Sequence, residues 1–199
     1  LPILCISKSK PHTLLISGTP GSGKTNLIRL LALQMKVHSD SKVVIFGDVE
    51  LTCACAGELL KKAPEFDYMV APEAKAIPLI HEMAKQSGRN DYMLVRKAPK
   101  LYMDGVFETE VKSITTEAVQ KLYMDGADAR KLNGKKVLIL DDVISTGESI
   151  AAVESLVNKA GGQIVGRMAI LAEGKAADRD DIIFLEKLPL FDSEGNPLE

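Results

Sequence analysis

Two short segments of this sequence combine residue types that bind phosphate groups. In the first, residues 18–25 read GTPGSGKT and fit the pattern G-x-x-x-x-G-K-[ST] at every fixed position. Glycines allow backbone N–H groups to converge on phosphate oxygens, and the following helix N-terminus adds positive potential. Lys24 is expected to reach the outer phosphates, and Thr25 to bind Mg²⁺. The residues predicted to bind phosphate here are Gly18, Gly21, Ser22, Gly23, Lys24 and Thr25.

The second segment, residues 137–149, reads VLILDDVISTGES. A buried apolar strand is predicted to present Asp141 and Asp142 at its carboxyl end, where ligand sites form in α/β proteins. The small residues that follow open a helix, which suits a single phosphate group. Adjacent acids followed closely by a phosphate loop indicate a ligand with a diol or Mg²⁺ beside a phosphate, as in ribose 5-phosphate. The predicted loop residues are Ser145, Thr146, Gly147, Glu148 and Ser149.

This second segment resembles the phosphoribosyl pyrophosphate (PRPP) signature of type I phosphoribosyltransferases. Two further stretches agree with the resemblance: residues 71–78, APEAKAIP, resemble the family's pyrophosphate loop, and residues 94–101, LVRKAPKL, resemble the strand that enters its mobile catalytic loop. The spacing is most similar to the adenine-type members. The resemblance covers about residues 43–189 and implies pyrophosphate-binding roles for Glu73, Ala74, Lys75, Arg96 and Lys97.

The resemblance implies transfer of ribose 5-phosphate from PRPP to a purine base, with release of pyrophosphate. Asp141 and Asp142 are then expected near the ribose hydroxyls and Mg²⁺, and Lys97 and Lys100 at the anionic leaving group. Residues 98–110 are expected to close over the site and exclude water. No general base is assigned, because Glu108, Glu110 and Glu117 include no unambiguous counterpart of the family's acidic loop residue. A homodimer is a family-level expectation.

Short β-branched runs that alternate with helical stretches predict an α/β fold with a mainly parallel sheet flanked by helices. Three segments are predicted: a P-loop-like βα element over residues 1–42, a phosphoribosyltransferase-like domain over 43–190 and a frayed tail over 191–199. The first replaces the small hood subdomain that the family usually carries, which suggests a natural or engineered chimera. The predicted strands cover residues 13–17, 42–46, 68–71, 92–95, 136–140, 163–171 and 182–185, with an antiparallel pair at 111–115 and 121–124; the predicted helices cover 24–36, 50–62, 77–86 and 149–160.

Composition excludes several other classes of protein. Hydrophobic residues make up 46% of the 199 residues and the net charge is −2, which disfavours disorder and general nucleic-acid binding. No apolar run reaches the ~20 residues that cross a bilayer, and the chain opens without a secretory pattern. The cysteines Cys5, Cys53 and Cys55 provide neither a disulfide framework nor a metal site. A cytoplasmic protein without nucleic-acid or membrane partners is expected.

Two alternatives to phosphoribosyl transfer remain open from the sequence. One is a P-loop nucleotide-binding protein or NTPase that takes ATP or another nucleotide, with Asp48 or Asp141 as its second acid. The other is a phosphate-ligand-binding chimera without turnover. In the NTPase interpretation, residues 145–149 and 96–100 have no role.

Overall fold

The computed structural model describes residues 49–112, 119–188, 190–191 and 197–198. In chain order its elements are α1 Val49–Lys62, β1 Tyr68–Pro72, α2 Ile77–Gln86, β2 Met93–Val95, β3 Phe107–Lys112, β4 Val119–Met124, α3 Gly126–Leu132, β5 Lys136–Ile144, α4 Glu148–Lys159, β6 Gln163–Glu173, a 3-10 helix Gly174–Asp178, β7 Ile183–Leu188, β8 Leu190–Phe191 and β9 Pro197–Leu198. The main sheet has five strands in the order β2-β1-β5-β6-β7, and every neighbouring pair is parallel. A separate antiparallel ribbon joins β3 to β4.

Strand β5 lies at the centre of the sheet and is buried on both faces, which explains its nearly continuous apolar sequence. Val137 and Ile139 point to the face that α4 covers, in a core that includes Val153 and Leu156. Leu138 and Leu140 point to the opposite face. There they meet a second core that contains α1 and α2 side chains, among them Leu59, Ile80 and Met83. This alternation follows from the two-residue period of a strand.

The ribbon β3–β4 is attached to α4 and to the end of β2 by polar contacts. Thr109 Oγ1 and Ser155 Oγ are 2.8 Å apart, and Lys159 Nζ donates to the Glu108 carbonyl at 2.8 Å. Arg96, just after β2, forms an isolated antiparallel bridge with Tyr123 of β4. The ribbon therefore supports the segment that leaves β2.

Several predicted boundaries differ from the structure; the antiparallel pair predicted at residues 111–115 and 121–124, for example, is observed at Phe107–Lys112 and Val119–Met124. Strand β5 continues to Ile144, because the pairing with β6 continues through Asp141↔Ala169 to Ile144↔Ala172; the two acids lie within the strand and not after it. The predicted closing loop 98–110 is shorter, since Phe107 already begins β3. In the predicted tail, Pro197–Leu198 pair with Leu190–Phe191, whereas residues 192–196 lie outside the described residues. The predictions for residues 1–48, including the P-loop element, also lie outside them.

The hexapeptide KLYMDG occurs at residues 100–105 and again at 121–126, and its two Asp-Gly pairs meet in space. The Gly126 N–H donates to the Asp104 carbonyl at 3.1 Å. A Cβ on Gly126 would lie 2.2 Å from the Gly105 carbonyl oxygen, so only glycine permits this approach. The first copy makes a turn with Gly105 at φ 64°, whereas in the second Asp125 caps helix α3 by accepting from the Ala127 N–H at 2.7 Å.

Candidate active site

The carboxyl ends of β2, β1 and β5 are neighbours in the sheet, and each is followed by one of the predicted site segments. Residues 73–75 follow β1, residues 96–100 follow β2, and residues 145–149 follow β5. Because parallel strands end at the same edge, the topology brings all three segments to one edge of the sheet. The sequence order alone did not specify this adjacency, since β5 comes last of the three in the chain.

Asp141 is a buried carboxylic acid in the middle of the site. Its side chain is only 8% exposed, and its Oδ1 accepts the backbone N–H of Asp142 at 2.9 Å. Desolvation and the adjacent Asp142 side chain raise the pKa of Asp141 from its ordinary value of 3.8 to about 8. The positive charge of Lys75, in the segment after β1, acts in the opposite direction on this pKa.

The loop after β5 has the shape that its small residues predict. Gly147 occupies the N-cap of α4 with φ 83°, a conformation that favours glycine, and it provides no side-chain cap for the helix. Ser145, Thr146 and Ser149 are exposed. The first backbone N–H groups of a helix lack intrahelical partners, so this turn offers donors and positive potential to an anion.

Glu73 in the segment after β1 forms an ion pair with Arg96 in the segment after β2. Arg96 Nη1 lies 2.6 Å from Glu73 Oε2, and the two side chains are 24% and 21% exposed. The hydrogen bond from Arg96 lowers the pKa of Glu73, and the charge of Lys100 and the backbone N–H of Lys97 act in the same direction. The Glu73–Arg96 pair thus joins the segment after β1 to the segment after β2 at the edge of the sheet.

Arg96 connects the site to the loop that follows it. Its backbone N–H donates to the Tyr123 carbonyl at 2.7 Å, and the Tyr123 N–H returns a bond to the Arg96 carbonyl at 2.8 Å. Its guanidinium also interacts with Tyr102, which contributes to a raised pKa of Arg96 after the larger effect of Glu73. At the tip of this loop Leu101 and Tyr102 are exposed.

Sequence reasoning missed Arg179, which follows the 3-10 helix after β6. A Cβ on Gly147 would lie 2.7 Å from Arg179 Nη1, so the guanidinium packs against the backbone of the loop after β5. Arg179 Nε and Nη2 donate to the two carboxylate oxygens of Asp181, at 2.8 and 2.7 Å. No motif surrounds Arg179, and only the parallel pairing of β5 with β6 brings it to the site.

The acid pair offers the oxygen ligands that Mg²⁺ prefers. Among the residues that the structure describes, no group of three or more His, Cys, Asp or Glu side chains is arranged to hold a metal ion. Mg²⁺ commonly binds through one or two carboxylates together with substrate oxygens and water. Asp141 and Asp142 therefore fit a cation that arrives with an anionic substrate, and do not form a closed metal centre. The predicted ligand Thr25 lies outside the described residues.

The three acids left open as general bases stay unassigned. Glu110 is engaged by Lys121 Nζ at 2.7 Å, which lowers its pKa. Glu108 lies on the same strand, β3, and is exposed, whereas Glu117 falls outside the described residues. Nothing on the ribbon therefore selects one of them.

Comparison with known proteins identifies the family. The sequence profile of the phosphoribosyl transferase domain matches residues 55–194 of the 199 in this chain. The chain belongs to this family. A second profile, that of the zeta toxin, matches residues 3–52, which include the GTPGSGKT segment and lie almost entirely outside the described residues.

Several relatives of this phosphoribosyl transferase domain are adenine phosphoribosyltransferases. The enzyme of Thermotoga sp. (strain RQ2) is 38% identical over 109 residues, which are 55% of this chain and 60% of that protein. The enzyme of Bifidobacterium longum (strain DJO10A) is 31% identical over 76% of this chain and 72% of that protein. The chain thus spans about 60% of the length of its Thermotoga relatives.

Solved structures confirm the predicted fold class. The crystal structure of adenine phosphoribosyltransferase from Thermoanaerobacter pseudethanolicus matches with a TM-score of 0.57 at 26% identity, over 74% of this chain and 91% of that chain. The enzyme from Rhodothermus marinus gives 0.61 at 22% identity, over 75% of this chain and 90% of that one. Within the described residues, no helix is long and apolar enough to cross a membrane.

Proposed function

We propose that this phosphoribosyl transferase domain transfers ribose 5-phosphate from PRPP to a purine base and releases pyrophosphate. The observation that carries the proposal is the meeting of three segments at one sheet edge: the acid pair on β5 with its phosphate loop, residues 73–75 after β1, and residues 96–100 after β2. These segments match the parts of PRPP, namely a sugar diol, a 5-phosphate and a pyrophosphate. Adenine is favoured as the base because these relatives are adenine phosphoribosyltransferases.

In this proposal the acid pair binds the sugar and the basic residues bind the leaving group. The carboxylates of Asp141 and Asp142 accept hydrogen bonds from ribose hydroxyls, and backbone N–H groups of residues 146–149 hold the 5-phosphate. Lys75, Lys97 and Lys100 lie near the pyrophosphate, whose negative charge grows as its bond to the sugar lengthens. A purine nitrogen then forms the new bond at C1 of the ribose as the bond from C1 to the pyrophosphate oxygen breaks, and the proton of that nitrogen passes to solvent.

Bound Mg²⁺ would neutralise pyrophosphate oxygens and help the leaving group to depart. Asp141 and Asp142 are the residues proposed to hold it together with substrate oxygens. The raised pKa of Asp141 fits an acid that exchanges a proton for a nearby cation when the substrate binds. The homodimer expected from the family remains a prediction.

A pyrophosphate-release assay with PRPP, Mg²⁺ and each purine base tests the proposal. Adenine is expected to support the fastest release. The double variant Asp141→Asn/Asp142→Asn is expected to abolish release, whereas Lys24→Ala leaves most of it intact. Loss of turnover in Lys24→Ala alone would contradict the assignment of the chemistry to the segment after β5.

A second candidate function is nucleotide binding at residues 18–25, either separate from transfer or in its place. It is supported by the complete G-x-x-x-x-G-K-[ST] pattern and by the zeta toxin match over residues 3–52. Calorimetric titration with ATP and Mg²⁺, together with a phosphate-release assay, tests it. An affinity that disappears in Lys24→Ala would support nucleotide binding, and release of phosphate from ATP would support an NTPase.

A further inference from the structure

The phosphate loop of the proposed function has no cationic side chain of its own. Residues 145–149 read STGES, so hydroxyls and backbone N–H groups are its donors, and Glu148 carries the same sign of charge as the ligand. A helix N-terminus attracts an anion with a partial charge only, and an acid in the first turn offsets part of that attraction. The loop would therefore bind a phosphate dianion more tightly if another element placed a full positive charge beside it.

Arg179 supplies such a charge next to the loop. Its Nη1 approaches Gly147 so closely that a Cβ there would lie 2.7 Å away, and Gly147 is the N-cap of α4. Within the described part of the chain, Nη1 donates no hydrogen bond, since both bonds of this guanidinium leave from Nε and Nη2. The free edge of the guanidinium is thus the edge that faces the loop.

The orientation of Arg179 is fixed by a small network of charges. Asp181 binds the other edge of the guanidinium through both carboxylate oxygens, a planar arrangement that only arginine can make. Arg167 lies 3.7 Å from the same carboxylate and is itself paired with Glu154 of α4. Asp181 takes up Nε and Nη2 of the guanidinium, so Nη1 beside Gly147 is the part of this network that can reach a phosphate in the loop.

We propose that Arg179 is a ligand of the 5-phosphate and supplies the cation that residues 145–149 lack. This inference rests on the proposed function. Nη1 would donate a charge-assisted hydrogen bond to a phosphate oxygen beside Gly147, and Asp181 would act as a positioning residue that holds the guanidinium in the required plane.

Isothermal titration with ribose 5-phosphate and, separately, with pyrophosphate tests this role in the full chain. Arg179→Gln is expected to weaken binding of ribose 5-phosphate about ten- to hundred-fold, the range for loss of a hydrogen bond to a charged group. Its affinity for pyrophosphate should match that of the wild type. Lys175→Gln, on the exposed side of the preceding 3-10 helix, removes the same net charge and should change neither affinity. Arg179→Lys should restore part of the loss.

The outcomes separate this inference from the proposed function. If the wild-type chain binds neither ligand, the proposed function fails. If it binds both and Arg179→Gln binds ribose 5-phosphate as tightly as the wild type, only the role of Arg179 is wrong. If Arg179→Gln binds both ligands more weakly and also has a lower midpoint of urea unfolding, Arg179 stabilises the fold and does not bind phosphate. That result would also overturn the inference. Asp181→Asn provides a second test, with weaker binding of ribose 5-phosphate expected although Arg179 is present.

Discussion

The raised pKa of Asp141 makes the folded chain less stable as the pH increases. An acid whose pKa is lowered on folding has the opposite effect. The pKa of Asp141 lies at about 8 in the folded state, against 3.8 for an unperturbed aspartate. Between these values the folded chain keeps a proton that the unfolded chain has released. The free energy of unfolding therefore falls as the pH rises through this window, by about 1.4 kcal/mol per pH unit for one proton.

The substitution Asp141→Asn should remove this dependence. Asparagine cannot ionise, and its Oδ1 can still accept the Asp142 N–H that Asp141 accepts at 2.9 Å. The variant is expected to gain stability relative to the wild type as the pH increases from about 5 to about 8. Carboxylates whose pKa values are lowered, such as Glu73 and Asp181, complete their stabilisation below this range and do not obscure the difference.

Urea unfolding followed by circular dichroism, in buffers that contain a chelator, measures the difference at each pH. The matched control is Asp180→Asn, because Asp180 is exposed. This control should reproduce the wild-type slope. Equal slopes for the wild type and Asp141→Asn would refute the argument that burial keeps this acid protonated in the absence of ligand.

Three further substitutions test how the structure supports the site, each by its free energy of urea unfolding. Gly126→Ala should cost about 1–3 kcal/mol because its Cβ would lie 2.2 and 2.4 Å from two carbonyl oxygens. Gly57→Ala, inside helix α1, is the control and should cost less, because its Cβ would meet only a side-chain atom, Gln86 Oε1, at 3.2 Å. Glu73→Gln should cost about 1 kcal/mol through its partly exposed pair with Arg96. Because that pair lowers the pKa of Glu73, the loss should disappear as the pH falls below about 4.5. Asp125→Ala removes the cap of α3 and should cost about 1 kcal/mol.

The sequence predicted the buried elements well because their signals are local. The helix predicted at residues 77–86 is the observed Ile77–Gln86, and the strand predicted from residue 136 begins there. The end of β5 was wrong because two acids look like the end of an apolar strand, although pairing with β6 continues across them. That pairing depends on another part of the chain, which a local pattern does not contain.

The site residues were likewise predictable only where the signal lies in adjacent residues of the sequence. The acid pair and the small-residue loop are adjacent in sequence, so their proximity could be expected from residues 141–149 alone. The Glu73–Arg96 ion pair joins residues 23 positions apart and depends on β1 lying beside β2. Arg179 is further still from the loop it touches, and it carries no motif. Contacts between distant segments follow from strand order, which the sequence pattern left undetermined.

The anchoring of the loop after β2 has a consequence for which of its positions tolerate substitution. Arg96 fastens one end of the loop to Tyr123, and Asp104 fastens the other end to Gly126. Both anchors lie in or next to the same ribbon, so this frame holds both ends of the loop, while Leu101 and Tyr102 at its tip are exposed. Leu101 is therefore the position at which a new side chain disturbs the frame least, whereas Tyr102 also interacts with the guanidinium of Arg96. A change confined to Leu101 would leave the acid pair and the phosphate loop in place, because they belong to β5 and to the turn between β5 and α4.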